Sequence, residues 1–244
     1  MAVCYHVGTS GWHYEDWRGR FYPEKLPKAS WLEFYAREFS TVELNNTFYR
    51  LPSEKAVKTW HDSSPQGFTF SVKASRYITH IKRLKGSEES LDAMFDRVGP
   101  LEDKLGPILW QLPPSVHRDD RILDEFLAIL PKARQHVFEF RHESWFREGV
   151  FDILREHNAA FCVFDQPDMT CPLVATSDFA YFRFHGASDM YLSKYPDEEL
   201  LKWAEKIRGL ARSLESVYIY FNNDVRGYAV ENARTLRAFL EEKR

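Results

Sequence analysis

The sequence predicts an α/β fold, a closed eight-stranded parallel β/α barrel (TIM barrel), and three observations predict it. Eight short stretches alternate with a period of two, the connections between them are mostly of helical period, and 244 residues is a length such a barrel occupies. On this reading residues 1–244 are one domain, with no linker, low-complexity tract or short repeat to divide them.

The first strand, 4–7, runs into Gly8-Thr9-Ser10-Gly11, a glycine-bracketed turn that would cradle an anion or simply reverse the chain. An aromatic loop follows, with Trp12, Tyr14, Trp17, Phe21 and Tyr22. Ser30 is placed to cap a helix whose Trp31, Phe34, Tyr35 and Phe39 fall at core spacing. In the second strand, 41–45, Val42 and Leu44 face the helices while Glu43 and Asn45 face inward. Ser53 caps a short helix carrying Val57 and Trp60. The third strand, 68–73, turns Phe70 and Val72 outward and Ser71 and Lys73 inward. The basic loop behind it (Arg76, His80, Lys82, Arg83, Lys85) is either a solvated face or an anion site.

Ser87 opens a helix with Leu91, Met94, Phe95 and Val98 on one stripe. The fourth strand, 107–112, has Ile108 and Trp110 outward and Leu109 and Gln111 inward, and Pro113-Pro114 ends it because proline cannot continue a ladder. Asp119 or Asp120 caps the next helix. The fifth strand opens the stretch 137–145: Val137, Glu139 and Arg141 share the inner face against outward Phe138 and Phe140. A helix near 150–157 follows. In the sixth strand, 160–165, Asp165 is assigned to the lumen and Cys162 to the outer core. Residues 166–178 hold Pro167 and Pro172 and no helical period, so one helix is reduced or absent there. The seventh strand, 179–185, turns Phe182 and Phe184 outward and Tyr181, Arg183 and His185 inward. The eighth, 216–222, turns Tyr218, Tyr220 and Asn222 inward, between helices at 197–213 and 227–241.

Composition narrows the function classes. A net charge of −3 and a pI near 6.3 argue against polyanion binding by the whole surface. Cys4, Cys162 and Cys171 have neither disulfide-framework nor thiolate-metal spacing. The N-terminal residues lack a signal-peptide pattern and no apolar run reaches the ~20 residues of a membrane helix, so a soluble cytoplasmic protein without a membrane partner is expected.

In a barrel the C-terminal strand ends converge on one mouth. Glu43, Asn45, Lys73, Gln111, Glu139, Arg141, Asp165, Arg183, His185 and Asn222 all fall there. Burying so many polar groups costs several kcal/mol unless they satisfy one another, so the choice lies between a scaffolding network and a working pocket.

The stretches FSTVELNNTFYRLP (39–52), WQLPPS (110–115), FEFRHESWF (138–146), YFRFHG (181–186) and YIYFNNDVRGYAVENA (218–233), with GTSGWHYEDWRGRFYP (8–23) and FSVKASRYITH (70–80), resemble the YecE-like family, domain of unknown function 72. The resemblance spans almost the whole chain in order. It implies the same barrel and little chemistry, since the family carries no established activity. Likeness to endonuclease IV and xylose isomerase-like barrels is fold-level analogy alone.

The favoured reading is an enzyme acting on a phosphorylated or otherwise anionic substrate. Lys73, Arg141 and Arg183 supply positive charge, Glu43 or Glu139 a general base, His185 a proton shuttle, and Asp165 a further carboxylate. Ser10, Trp12, Tyr14, Asn45, Tyr49, Gln111, Asn222, Asn223 and Asp224 are the substrate-binding candidates, with a phosphate expected at the helix start after strand eight. No cofactor is predicted. One alternative is a divalent-metal hydrolase or isomerase using Glu43, Glu139, Asp165, His185 and Asp224 or His142. Another is a non-catalytic module that binds nucleic acid or protein through the basic loop.

Overall fold

The computed structural model describes residues 3–242. Eight parallel strands pair in the order β1-β8-β7-β6-β5-β4-β3-β2. They are β1 (Cys4–Thr9), β2 (Thr41–Leu44), β3 (Thr69–Lys73), β4 (Leu105–Leu112), β5 (His136–Phe140), β6 (Ala160–Asp165), β7 (Phe179–Phe184) and β8 (Ser216–Phe221). Helices α1 (Trp31–Tyr35), α2 (Asn46–Tyr49), α3 (Glu54–Asp62), α4 (Glu88–Val98), α5 (Asp120–Ile129), α6 (Glu148–Glu156), α7 (Asp197–Leu210) and α8 (Tyr228–Glu241) form the outer layer. Between β6 and β7 the chain makes no helix, as the prolines predict. No helix of the described residues is long and apolar enough to cross a membrane.

Alternation divides the buried side chains into two shells. Outward residues such as Val42, Phe70, Trp110, Phe138, Val163, Phe182 and Ile219 belong to a large core shared with the helices. Leu109, Val137, Ala160, Cys162, Phe179, Tyr181, Tyr218 and Tyr220 form a separate cluster filling the barrel. The lumen is therefore packed at its base and can hold a site only at the strand ends.

The barrel closes through a seam. β1 and β2 form no ladder, only a bridge between Ser10 and Glu43. The Tyr35 hydroxyl of α1 fills the gap, accepting from Thr9 N–H at 3.0 Å and donating to the Thr41 carbonyl at 3.1 Å. Gly8 belongs to β1, where any Cβ would collide with the Thr41 carbonyl, so glycine is what lets the strands approach.

Several local expectations change. The strand runs on through Gly8 and Thr9, so the chain turns only at its end, where Gly11, at φ +95°, donates its N–H to the Thr9 carbonyl at 3.1 Å. Ser30 precedes α1 without a capping hydrogen bond, because residues 28–30 already form a 3₁₀ turn. The Ser53 and Asp119 caps do form, accepting from the amides of Ala56 and Ile122. Asn45 lies beyond β2, at the start of α2.

Candidate functional site

The floor of the mouth is a buried ion network centred on Arg183 of β7. Its Nη2 donates to Glu43 Oε1 at 2.8 Å and its Nη1 to Glu139 Oε2 at 2.7 Å, and all three side chains are inaccessible. Glu43 also accepts from Ser10 Oγ and from the Tyr181 hydroxyl, each at 2.7 Å. Tyr181 in turn contacts Ser71 Oγ at 2.6 Å. Glu139 accepts in addition from Arg141 Nε, and the Cys162 thiol points at its Oε2 from 3.7 Å. Burial would raise Glu139, but Arg141 and Arg183 outweigh it and hold the carboxyl well below the usual range. A carboxylate held that firmly ionised is a weak base; its geometry is that of an anchor for two guanidinium groups.

Above the floor, Arg141 joins three elements. Its guanidinium donates to Gln166 Oε1 just past β6, lies over the Phe164 ring at 4.5 Å, and reaches His185 Nε2 at 2.7 Å. Arginine only donates, so His185 Nε2 must accept and the ring proton sits on Nδ1. Nδ1 lies 3.2 Å from Asn222 Nδ2, so this tautomer requires the Asn222 amide to be turned over to present its oxygen. Burial, then Arg141 and Arg183, push His185 well below its ordinary value, so this imidazole is neutral. With its lone pair already taken by Arg141, it does not serve as a proton acceptor in this arrangement.

Lys73 stands apart. Its Nζ makes no hydrogen bond or ion pair among the described residues and rests 4.4 Å from the Phe48 ring centroid. Thr47 Oγ1 donates to its carbonyl at 2.7 Å and fixes the end of β3. Burial, with Arg183 next, lowers its pKa to about 8. The mouth thus holds Glu43 and Glu139 against Arg141, Arg183 and Lys73, one cation in excess.

Other candidates fall elsewhere. β6 presents the opposite face to that expected: Ala160, Cys162 and Phe164 turn inward, while Asp165 turns out to accept from the Tyr195 hydroxyl at 2.7 Å near α7. Cys162 lies against the ion network, its thiol 3.7 Å from Glu139 Oε2, a contact that the apolar alternation could not reveal. Trp12 is buried edge-on against Trp60 and Phe70 and is no stacking platform; the Tyr14 hydroxyl donates to the Ser10 carbonyl at 2.5 Å. Tyr49 is the exposed ring, at 73%. Gln111 sits beside Glu139 in register, and the Oδ1 of Asn45 has no partner. Asn223 points away from the mouth and ties Ser193 to Asn232.

The turn before α8 is already engaged, while the start of α8 itself has no side-chain cap. The Arg226 N–H of that turn donates to the Asp16 carboxylate at 2.7 Å. Asp224 is buried beside Tyr14, with one carboxyl oxygen unpartnered. Burial, reinforced by Glu43 and Asp16, raises it well above its ordinary value.

The metal ligand set envisaged from sequence does not assemble: Asp165 faces outward, Arg183 separates the two glutamates, and Arg141 occupies His185. A convergent His/carboxylate group, His61, Glu102 and Asp103, lies before β4 at the opposite end of the barrel. Gln166, Phe164, Phe48 and Tyr181 complete the mouth but were not among the sequence candidates. Tyr181 alone carried a signal, the inward phase of β7.

Residues 6–244 match the family described as "Protein of unknown function DUF72". The UPF0759 protein YunF of Bacillus subtilis is 26% identical over 97% of this chain and 94% of its own length. A crystal structure of a DUF72 family protein from Thermotoga maritima superposes with a TM-score of 0.88 at 34% identity, covering 98% of this chain and 100% of that one. One from Enterococcus faecalis gives 0.83 at 20% identity, covering 99% of both, and shows the fold alone.

Proposed function

The chain belongs to the DUF72 family, and from the geometry of its own barrel mouth we propose that it is an enzyme acting on a small anionic substrate, phosphorylated or carboxylated, by acid–base chemistry. The observation that carries this reading is the unpaired Lys73 ammonium in a mouth whose two carboxylates are already matched by two guanidinium groups. An uncompensated half-buried cation costs free energy that an incoming anion would offset. Arg141, 8% exposed, lies close enough to Lys73 to act on it electrostatically. On this reading Glu43, Glu139 and Arg183 are the rigid floor, Lys73 and Arg141 face the ligand, and Asn45 and Asn222 offer polar contacts at the rim.

Acid–base capacity rests on Lys73 and Asp224, the mouth groups whose surroundings favour their neutral forms. The test is calorimetric titration with inorganic phosphate, pyrophosphate and a panel of sugar phosphates. Binding that weakens about tenfold or more in Lys73→Met, equivalent to 1.4 kcal/mol, supports the reading. Absence of binding across the panel, or equal binding by the variant, removes it.

A second reading has its own support. Tyr49, Tyr77 and Ile81 are exposed beside Arg76, Lys82, Arg83 and Lys85, a combination suited to a single nucleic-acid strand. Association that is insensitive to salt would count against it.

A further inference from the structure

The Lys73 amine differs from every other cation of the mouth in having no acceptor. Arg183 is spent on two carboxylates; Arg141 is engaged by Glu139, Gln166 and His185. A lysine meant only to balance charge would sit against a carboxylate, and Glu43 and Glu139 lie close enough to act on it electrostatically. Both are held by guanidinium groups instead. The apolar Phe48 ring lies against Nζ, itself backed by His80 at 4.9 Å between ring centroids. His80 is also driven toward its neutral form, chiefly by burial and then by Lys73 and Arg76, with a pKa of about 4. The amine is therefore set against an aromatic face, beside a neutral imidazole and two guanidinium groups, and near two carboxylates that are already bonded to those guanidinium groups, a setting that suits a lysine to act as a nucleophile rather than a counter-charge.

We propose that Lys73 is a reactive amine that condenses with the carbonyl of a small anionic aldehyde or ketone, so that the substrate class of this mouth is an oxo acid or a phosphorylated carbonyl compound held as an imine on Nζ. This rests on the anionic-substrate reading above and specifies it. The neutral Nζ adds to the carbonyl carbon, forming the C–N bond. The carbonyl oxygen then leaves as water with the two protons of the amine, giving C=N. No electrons are exchanged, and no oxidant, reductant or metal is required. The proton that the ammonium released to solvent on becoming neutral is taken back by the imine nitrogen, so the protonated imine restores the positive charge and the anionic group of the substrate keeps its counter-charge. At pH 7.5 a lysine with a pKa of about 8 has roughly two-hundredfold more free amine than one at the ordinary value.

The experiment is borohydride trapping on the full chain at pH 7.5, followed by peptide mass mapping. The probes are dihydroxyacetone phosphate, pyruvate and uncharged dihydroxyacetone, with Lys73→Arg as the control. The expected result is a reduced adduct at Lys73 formed at least about tenfold faster than at any other lysine, and faster with the two anionic probes than with dihydroxyacetone. Equal rates with charged and uncharged probes, still selective for Lys73, would uphold the imine and remove the anionic substrate. Adducts scattered over surface lysines with no preference for Lys73 would overturn the imine, and phosphate titration would then decide separately whether the mouth binds anions.

Discussion

Replacing Arg183 by Met is the severest single test of the mouth network. The substitution removes two buried ion pairs of 2.8 and 2.7 Å and leaves Glu43 and Glu139 facing one another without the cation between them. Glu43 keeps Ser10 and Tyr181, and Glu139 keeps Arg141, so the orphaning is partial. Removing one partner from a buried pair costs about 3–5 kcal/mol, and for a chain of this size that corresponds to a melting temperature lower by roughly 6–20 °C. The assay is urea and thermal unfolding, followed by far-UV circular dichroism. Adding Glu43→Gln and Glu139→Gln to Arg183→Met should return at least half of the loss, because no unpaired charge then remains. The pH dependence has a definite sign. Glu139 is depressed in the native protein, so its contribution is present above the unfolded carboxylate value, about 4.3, and is lost as pH falls through its own lower value. In Arg183→Met the Glu139 carboxyl loses one of the two cations that hold it ionised and takes up a proton more easily, so the deficit relative to wild type narrows as pH falls from 7. An Arg183→Met protein within about 1 kcal/mol of wild type at pH 7 would refute the reasoning.

Three further expectations follow from the same geometry. Tyr35→Phe deletes the hydroxyl that bridges Thr9 and Thr41 across the seam, and should cost about 1–3 kcal/mol while accelerating amide exchange at Thr9; unchanged protection there would mean the seam is held otherwise. Asp165→Asn should leave anion binding at the mouth within about twofold of wild type, since Asp165 faces Tyr195 and not the lumen; a loss of tenfold or more would restore it to the site. The His185 ring should stay neutral by NMR as pH falls through 6.5, where an ordinary imidazole takes up its proton. Because the unfolded imidazole gains a proton below about 6.5 and the buried one does not, its contribution to stability declines as pH falls through that value. A His185 midpoint near 6.5 would contradict this.

The chain made most of the barrel legible because each inner face had one reading. In β7, Tyr181, Arg183 and His185 alternate with Phe182 and Phe184, and only one phase keeps Arg183 and His185 off the apolar layer beneath the helices. In β5 the two phenylalanines settle the phase. β6 offered Phe161 and Val163 against Cys162 and Phe164, two apolar faces with little to separate them, and a terminal aspartate pulled the assignment the wrong way. The phase shows only in the tertiary packing, where β6 lies beside β7 and the Cys162 thiol meets the buried Glu139, and such contacts are not written in local alternation. The convergence of Glu43, Glu139, Arg141, Arg183 and His185 was visible as inward charge on separate strands. Their division into a sealed floor and a ligand-facing rim was not, because pairing depends on which guanidinium reaches which carboxylate. Gln166 lay in a segment without period, where no pattern could single it out.

The protonation of Lys73 itself bears most directly on the central claim that it is the uncompensated cation of the mouth. Its Cε resonance, assigned through Lys73→Arg, can be followed by ¹H–¹³C NMR against pH with and without inorganic phosphate. The account predicts a midpoint near 8 that moves upward as phosphate binds and stabilises the ammonium. A midpoint at the ordinary lysine value of about 10.4, indifferent to phosphate, would contradict it.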